Sequence, residues 1–114
     1  MVKCKYDLDL VFQALADPTR RRILKNLSRG ERVMTELAGP FDMSLVAISK
    51  HVKVLERAGL VQRRWAGNFT YISLNAEAMS AADDWLENYR QFWEARLDAL
   101  ESYFDETQKK EGGK

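Results

Sequence analysis

Residues 44–62 read SLVAISKHVKVLERAGLVQ. Val46, Ser49, Lys50, Lys53 and Arg57 recur in this stretch so that they share one side of a helix turning about 100° per residue. No carboxylate is among them. A small, hydroxyl-bearing, cationic helix face suits the major groove of duplex DNA. Ser and Lys reach base edges or phosphates, while Val46 and Ala47 permit close approach and an apolar contact to a thymine methyl. The helix N-terminus, with Ser44 as its cap, brings partial positive charge towards phosphate. His51 lies at the border of this face, where it either hydrogen-bonds within the protein or contacts a phosphate. Arg63 and Arg64 precede a tip at Gly67-Asn68, and a basic hairpin tip can follow the DNA backbone or enter the adjacent minor groove. Arg20 and Arg21 open an earlier helix, where they either touch phosphate or pair with an acid such as Asp17. Trp65, Phe69 and Tyr71 alternate along a strand and are expected to pack inward or against neighbours.

The charge distribution agrees with a polyanionic partner. The whole chain of 114 residues has a net charge of only +1. From Pro18 to Leu74, however, eleven Lys and Arg face four acids, a balance of +7. From Asn75 onward five basic residues face ten acids, a balance of −5. A basic middle beside an acidic end directs the middle towards nucleic acid.

Other chemistries find little support. There is no nucleophile–base constellation, no Gly-rich phosphate loop and no cluster of metal ligands, so neither an enzyme nor a cofactor is expected. Apolar runs are too short to span a membrane, and the start MVKCKYDLDLVF lacks the long apolar core of a signal peptide. Cys4 is the one cysteine, which rules out an intrachain disulfide and favours a cytoplasmic protein.

The elements that must hold the cationic face follow from periodicity and punctuation. Leu8, Val11, Phe12 and Leu15 mark a first helix over about 8–16. Asp17-Pro18 starts a second, which buries Ile23, Leu24 and Leu27 and ends near Gly30. A third spans about 32–38 with Val33, Met34 and Leu37 inward, and Gly39-Pro40 ends it. The fourth starts at the Ser44 cap, turns Leu45, Ile48, Val52 and Leu55 to the core, and stops at Gly59. Two strands follow, 60–65 and 69–74, joined by a turn at Ala66-Gly67-Asn68. Asn75 caps a last helix to about Phe104, roughly 40 Å long at 1.5 Å per residue. The expected fold is mainly α with a β-hairpin wing: a winged helix-turn-helix with a long C-terminal dimerisation helix. Residues 1–107 form one such DNA-binding domain with N- and C-terminal dimerisation helices, and 108–114 form a disordered tail.

The segments FQALADPTRRRILKNLSRGE and MSLVAISKHVKVLERAGLVQRRWAGNFTYISLN resemble the ArsR/SmtB family of bacterial winged-helix repressors. The resemblance covers about Leu8 to Asn75, and ADPTRRRIL together with SKHVKVLERAGLV is its specific part. It implies a homodimer that binds a palindromic operator. It also implies that Ser44, Val46, Ser49, Lys50 and His51 lie near DNA, with the wing 63–68 beside them. One metal site of the family uses paired cysteines before the turn, where this chain has MTELAGPF. A second uses Asp, His and Glu on the last helix, where Glu77, Asp83, Asp84 and Glu87 occur without histidine. Zinc and thiophilic metals need imidazole or thiolate ligands, so metal sensing is not carried over.

The last helix carries more apolar surface than so small a domain covers. Trp85, Tyr89, Phe92, Trp93, Leu97 and Leu100, together with Leu8 and Phe12 of the first helix, are the expected interface with a second copy. A two-fold dimer sets two reading helices about 34 Å apart, one DNA turn. A small-molecule effector of unknown identity, held between the aromatics, is the lesser alternative to a packed interface. The competing function is a winged-helix module that docks an acidic protein and does not read DNA.

Overall fold

Short polar side chains set where the first helices begin. The structure, a computed structural model, describes residues 6–112. Helix α1 spans Leu8–Leu15, and the Asp7 carboxylate caps it by accepting from the N–H groups of Asp9 and Leu10. Helix α2 spans Pro18–Leu27, with Asp17 as cap and Pro18 in its first turn. Helix α3, Met34–Ala38, is short. Helix α4 spans Leu45–Arg57, and Ser44 Oγ accepts from the Ala47 N–H at 3.1 Å.

Gly59 ends α4 with a Schellman motif. Its φ is +82°, its N–H donates to the Glu56 carbonyl, and the Leu60 N–H donates to the Leu55 carbonyl. Leu55 and Leu60, which flank the motif, are both fully buried. The chain then enters strand β2, Val61–Ala66, and returns along β3, Phe69–Leu74. Two residues, Gly67 and Asn68, join them, and only Gly67 has positive φ, at +60°. Those φ signs are those of a II′ turn, whose twist matches a hairpin.

The expected winged helix is present, with four local corrections. Arg32 and Val33, expected to begin the third helix, form strand β1, which pairs antiparallel with β3 (Arg32 with Ile72, Val33 with Tyr71). The wing is therefore a three-stranded sheet in the order β1-β3-β2, and Val33 is half-buried. Leu45, expected in the core, is 47% exposed. It is the first residue of α4, and helical side chains lean towards the N-terminus, past the edge of the core. Asn75, expected to cap the last helix, stands two residues before its first residue, and its Nδ2 donates to the Gly59 carbonyl at 2.8 Å and to Tyr6 Oη at 3.2 Å. The last helix, α5, runs Glu77–Gly112, past the end expected at Phe104 and over most of the expected tail. Residues 113–114 and Cys4 lie outside the described residues.

The chain divides after Ala82 into two units. In the first, Val11, Ile23, Leu24, Leu37, Ile48, Val52, Leu55, Leu60 and Ile72 build the core, closed by Ala78 and Ala82 of the first turns of α5. Each helix contributes one apolar stripe, so the core sits where the stripes of α1, α2, α3 and α4 meet the inner face of the sheet. The second unit is the remainder of α5. Arg90 there bonds Asp83 at 3.1 Å and Glu87 at 2.8 Å. Trp85, Tyr89, Phe92, Trp93, Leu97 and Leu100 are all exposed, and the Trp85 and Tyr89 ring centroids are 5.0 Å apart.

Candidate DNA-reading interface

Helix α4 presents the face that its sequence describes. Ile48, Val52 and Leu55 point inward with no exposure, which turns the opposite side out. Val46 is 66% exposed, and Ser44, Lys50, Lys53 and Arg57 are exposed as well. Ser49 is half-buried on the shoulder of the helix. Among the described residues no ion pair engages Lys50, Lys53 or Arg57, so three cations stand along one helix without an internal counter-charge. That arrangement attracts a polyanion.

Other predicted contact residues are held by the protein itself. His51 is half-buried, and its Nδ1 lies 3.3 Å from Nη1 of Arg20 and 3.9 Å from Oδ2 of Asp17. Arg63 Nε lies 3.4 Å from Glu56 Oε2, and its side chain is only 17% exposed. It joins the last turn of α4 to β2. Arg64, on the other face of β2, donates from Nη2 to Glu31 Oε1 at 2.7 Å while its guanidinium stands 4.4 Å over the Tyr71 ring. The Glu31 carboxylate raises Arg64 above the usual arginine value, so its charge persists. The Arg64 side chain is 56% exposed, and Asn68 is exposed at the wing tip.

Two aromatics depart from expectation. Trp65 is 69% exposed and Phe69 is also exposed. They flank the tip, beyond the reach of the core, where strand alternation leaves no inner face to pack on. Leu45 and Phe69 line a cleft of about 280 Å³, together with Val33, Met34, Thr35, Asn68 and Thr70.

The sequence reading missed the work of Arg20 and Arg21. Neither guanidinium pairs chiefly with Asp17; both turn to the backbone of α1. Arg20 Nε donates to the Ala14 carbonyl at 2.8 Å and Nη2 to the Gln13 carbonyl at 2.9 Å, while Arg21 Nη1 donates to the Leu15 carbonyl at 2.8 Å. The last carbonyls of α1 lack intrahelical partners, and these two arginines supply them. A signal existed: cations in the first turn of a helix oppose its dipole, so DPTRR places them there for something other than their own helix. The Asp17 carboxyl is held below the ordinary aspartate value, chiefly by the Arg20 backbone N–H at 3.0 Å. Burial opposes this shift, and the nearby charge of Arg20 adds to it.

Among the described residues no three His, Cys, Asp or Glu side chains are grouped to hold a metal ion, and no helix is long and apolar enough to cross a membrane.

The comparisons agree with this geometry. A helix-turn-helix domain family matches residues 15–64. The transcriptional repressor SdpR of Bacillus subtilis is 35% identical over 79 residues, covering 69% of this chain and 88% of SdpR. The crystal structure of an ArsR family transcriptional regulator, RHA00566, superposes with a TM-score of 0.71 at 41% identity, covering 76% of this chain and 96% of that one. The solution structure of Mb0332 from Mycobacterium bovis, a homodimeric winged helix-turn-helix DNA-binding domain, has a TM-score of 0.60 at 26% identity, covering 74% of this chain and 81% of that one. With its helix-turn-helix and its wing, the chain belongs to the ArsR family of winged helix-turn-helix transcriptional regulators.

Proposed function

We propose that this regulator is a cytoplasmic homodimeric repressor, without enzymatic activity, that binds a palindromic operator. The observation that carries the reading is the outward side of α4, where Lys50, Lys53 and Arg57 are exposed beside Val46. α4 enters the major groove, with Ser44, Val46, Ser49, Lys50 and Lys53 at the DNA. Arg64 and Asn68 of the wing lie against the backbone beside it. His51 and Arg63 support these elements from within. The repressor name of SdpR and the homodimeric state of Mb0332 favour the same reading. The second copy packs on the exposed stripe of α5, Trp85 through Leu100, and Leu8 and Phe12 of α1 are further contacts with it.

Fluorescence anisotropy with labelled DNA from the region upstream of the protein's own gene tests the function. A scrambled duplex serves as control, across a salt series. Log affinity for the operator falls with log salt by about 0.9 per phosphate neutralised, and the operator outcompetes the scrambled duplex by about a thousandfold or more. Equal, weak binding to both duplexes, with no common motif recovered by selection from genomic fragments, would refute it.

A further inference from the structure

Apolar packing holds α4 against the core, but apolar contacts have no direction. Ile48, Val52 and Leu55 set the depth of the helix and which side faces in, and leave the fine setting of its rotation about its own axis to directional bonds. The described side-chain hydrogen bond that reaches the middle of α4 from another helix is the one between Arg20 and His51. We propose that Arg20 is a positioning residue for DNA reading, which fixes the rotation of α4 by holding His51 against the end of α1. This rests on the reading of α4 as the helix that enters the groove.

The geometry favours a rigid strut. The guanidinium is planar and donates in a fixed fork. Two of its arms are tied to α1, Nε to the Ala14 carbonyl and Nη2 to the Gln13 carbonyl. The direction of the third, Nη1, is therefore set, and it meets His51 Nδ1 at 3.3 Å. Arginine has no acceptor, so Nδ1 must accept and the ring proton sits on Nε2. Asp17 completes the cluster by capping α2 through the Arg20 backbone N–H, with Oδ2 3.9 Å from the same Nδ1. His51 adjoins Lys50 in sequence and lies half a turn from both Ser49 and Lys53. A small rotation of His51 therefore carries the whole reading face across the groove, where misplacement costs discrimination between bases before it costs attraction to phosphate.

The test is a set of variants titrated onto operator and scrambled duplexes over a salt series. Arg20→Lys keeps the charge and loses the fork, and His51→Ala removes the acceptor. Each should weaken operator binding about tenfold, leave scrambled binding and the salt slope unchanged, and combine non-additively, so that the double variant is no weaker than the weaker single one. Arg20→Ala tests direct contact: a phosphate-bound Arg20 would lower the salt slope by about one per protomer and weaken both duplexes alike. That result, additive losses in the double variant, or unchanged operator affinity would overturn the proposal. If Arg20→Lys fails to fold, His51→Ala carries the test alone, because it leaves the anchors on α1 intact. Lys50→Ala separates the two readings. If it too leaves operator affinity unchanged, α4 is not the reading helix; if it weakens binding and the Arg20 and His51 variants do not, only the positioning role falls.

Discussion

Replacing Lys50 and Lys53 together by alanine isolates the cationic face of α4. Both side chains are exposed, and no described hydrogen bond or ion pair engages either. Their removal therefore breaks nothing inside the protein, and alanine is as good a helix former as lysine. The melting temperature should stay within about 4 °C of the parent, because surface substitutions of this kind fall within about 0.5 kcal/mol. The effect on DNA is much larger. A two-fold dimer loses four cations, two per protomer. At about 1 kcal/mol for each exposed charge pair, the loss is roughly 4 kcal/mol, or about a thousandfold in Kd at low salt. The same four charges account for about 3.6 of the slope of log affinity against log salt. Anisotropy titrations of parent and variant at several salt concentrations read both quantities, with calorimetry alongside. Unchanged affinity and slope in a variant that melts like the parent would refute the assignment of this face to DNA. A large fall in melting temperature would refute the claim that these lysines carry no structural load.

Trp93→Asp sets a charge in the middle of the exposed α5 stripe; light scattering should show monomers, with operator binding lost in parallel, and a dimer that survives would refute the interface. Asp17→Ala removes the cap of α2 and should cost about 1 kcal/mol, some 4–8 °C in a unit of this size. Because the Asp17 carboxyl is lowered in the folded state, its stabilisation is complete above the unfolded value near 3.9 and is lost as pH falls through the folded value. Parent and variant melts should thus differ at pH 7 and begin to approach one another only as pH falls below about 4, and a gap that does not narrow as acid titrates the carboxyl contradicts the carboxylate as its source. Gly59→Ala must hold φ at +82° with a Cβ 2.7 Å from Tyr6 Cδ1; the left-handed backbone alone costs about 1–2 kcal/mol, so calorimetry should show a clear fall in melting temperature, and no fall would discount the Gly59 motif as the end of α4.

Much of the fold was legible because local rules wrote it. Asp17-Pro18 opens α2, Ser44 opens α4 and Gly59 closes it, as capping preferences require. Periodicity placed Ile23, Leu24, Leu27, Ile48, Val52 and Leu55 inside, and by the same count it placed Val46, Lys50 and Lys53 outside. The reading face is therefore a consequence of spacing within one helix, available before any tertiary contact is known. Strand β1 was not available in that way, since two residues carry no alternation and Arg32-Val33 becomes a strand only because β3 lies beside it.

Side-chain partnerships were also beyond the sequence, because they join residues far apart in the chain. Glu31 meets Arg64 and Glu56 meets Arg63, pairs that composition alone does not reveal. Arg20 meets His51 across thirty-one positions, a pairing of α2 with α4 that no local pattern contains. Local spacing alone determined which side of α4 is cationic and turned outward. Only the tertiary packing decided which of the basic residues around it have a partner, because a charge stands unpaired only when no opposite charge is folded against it.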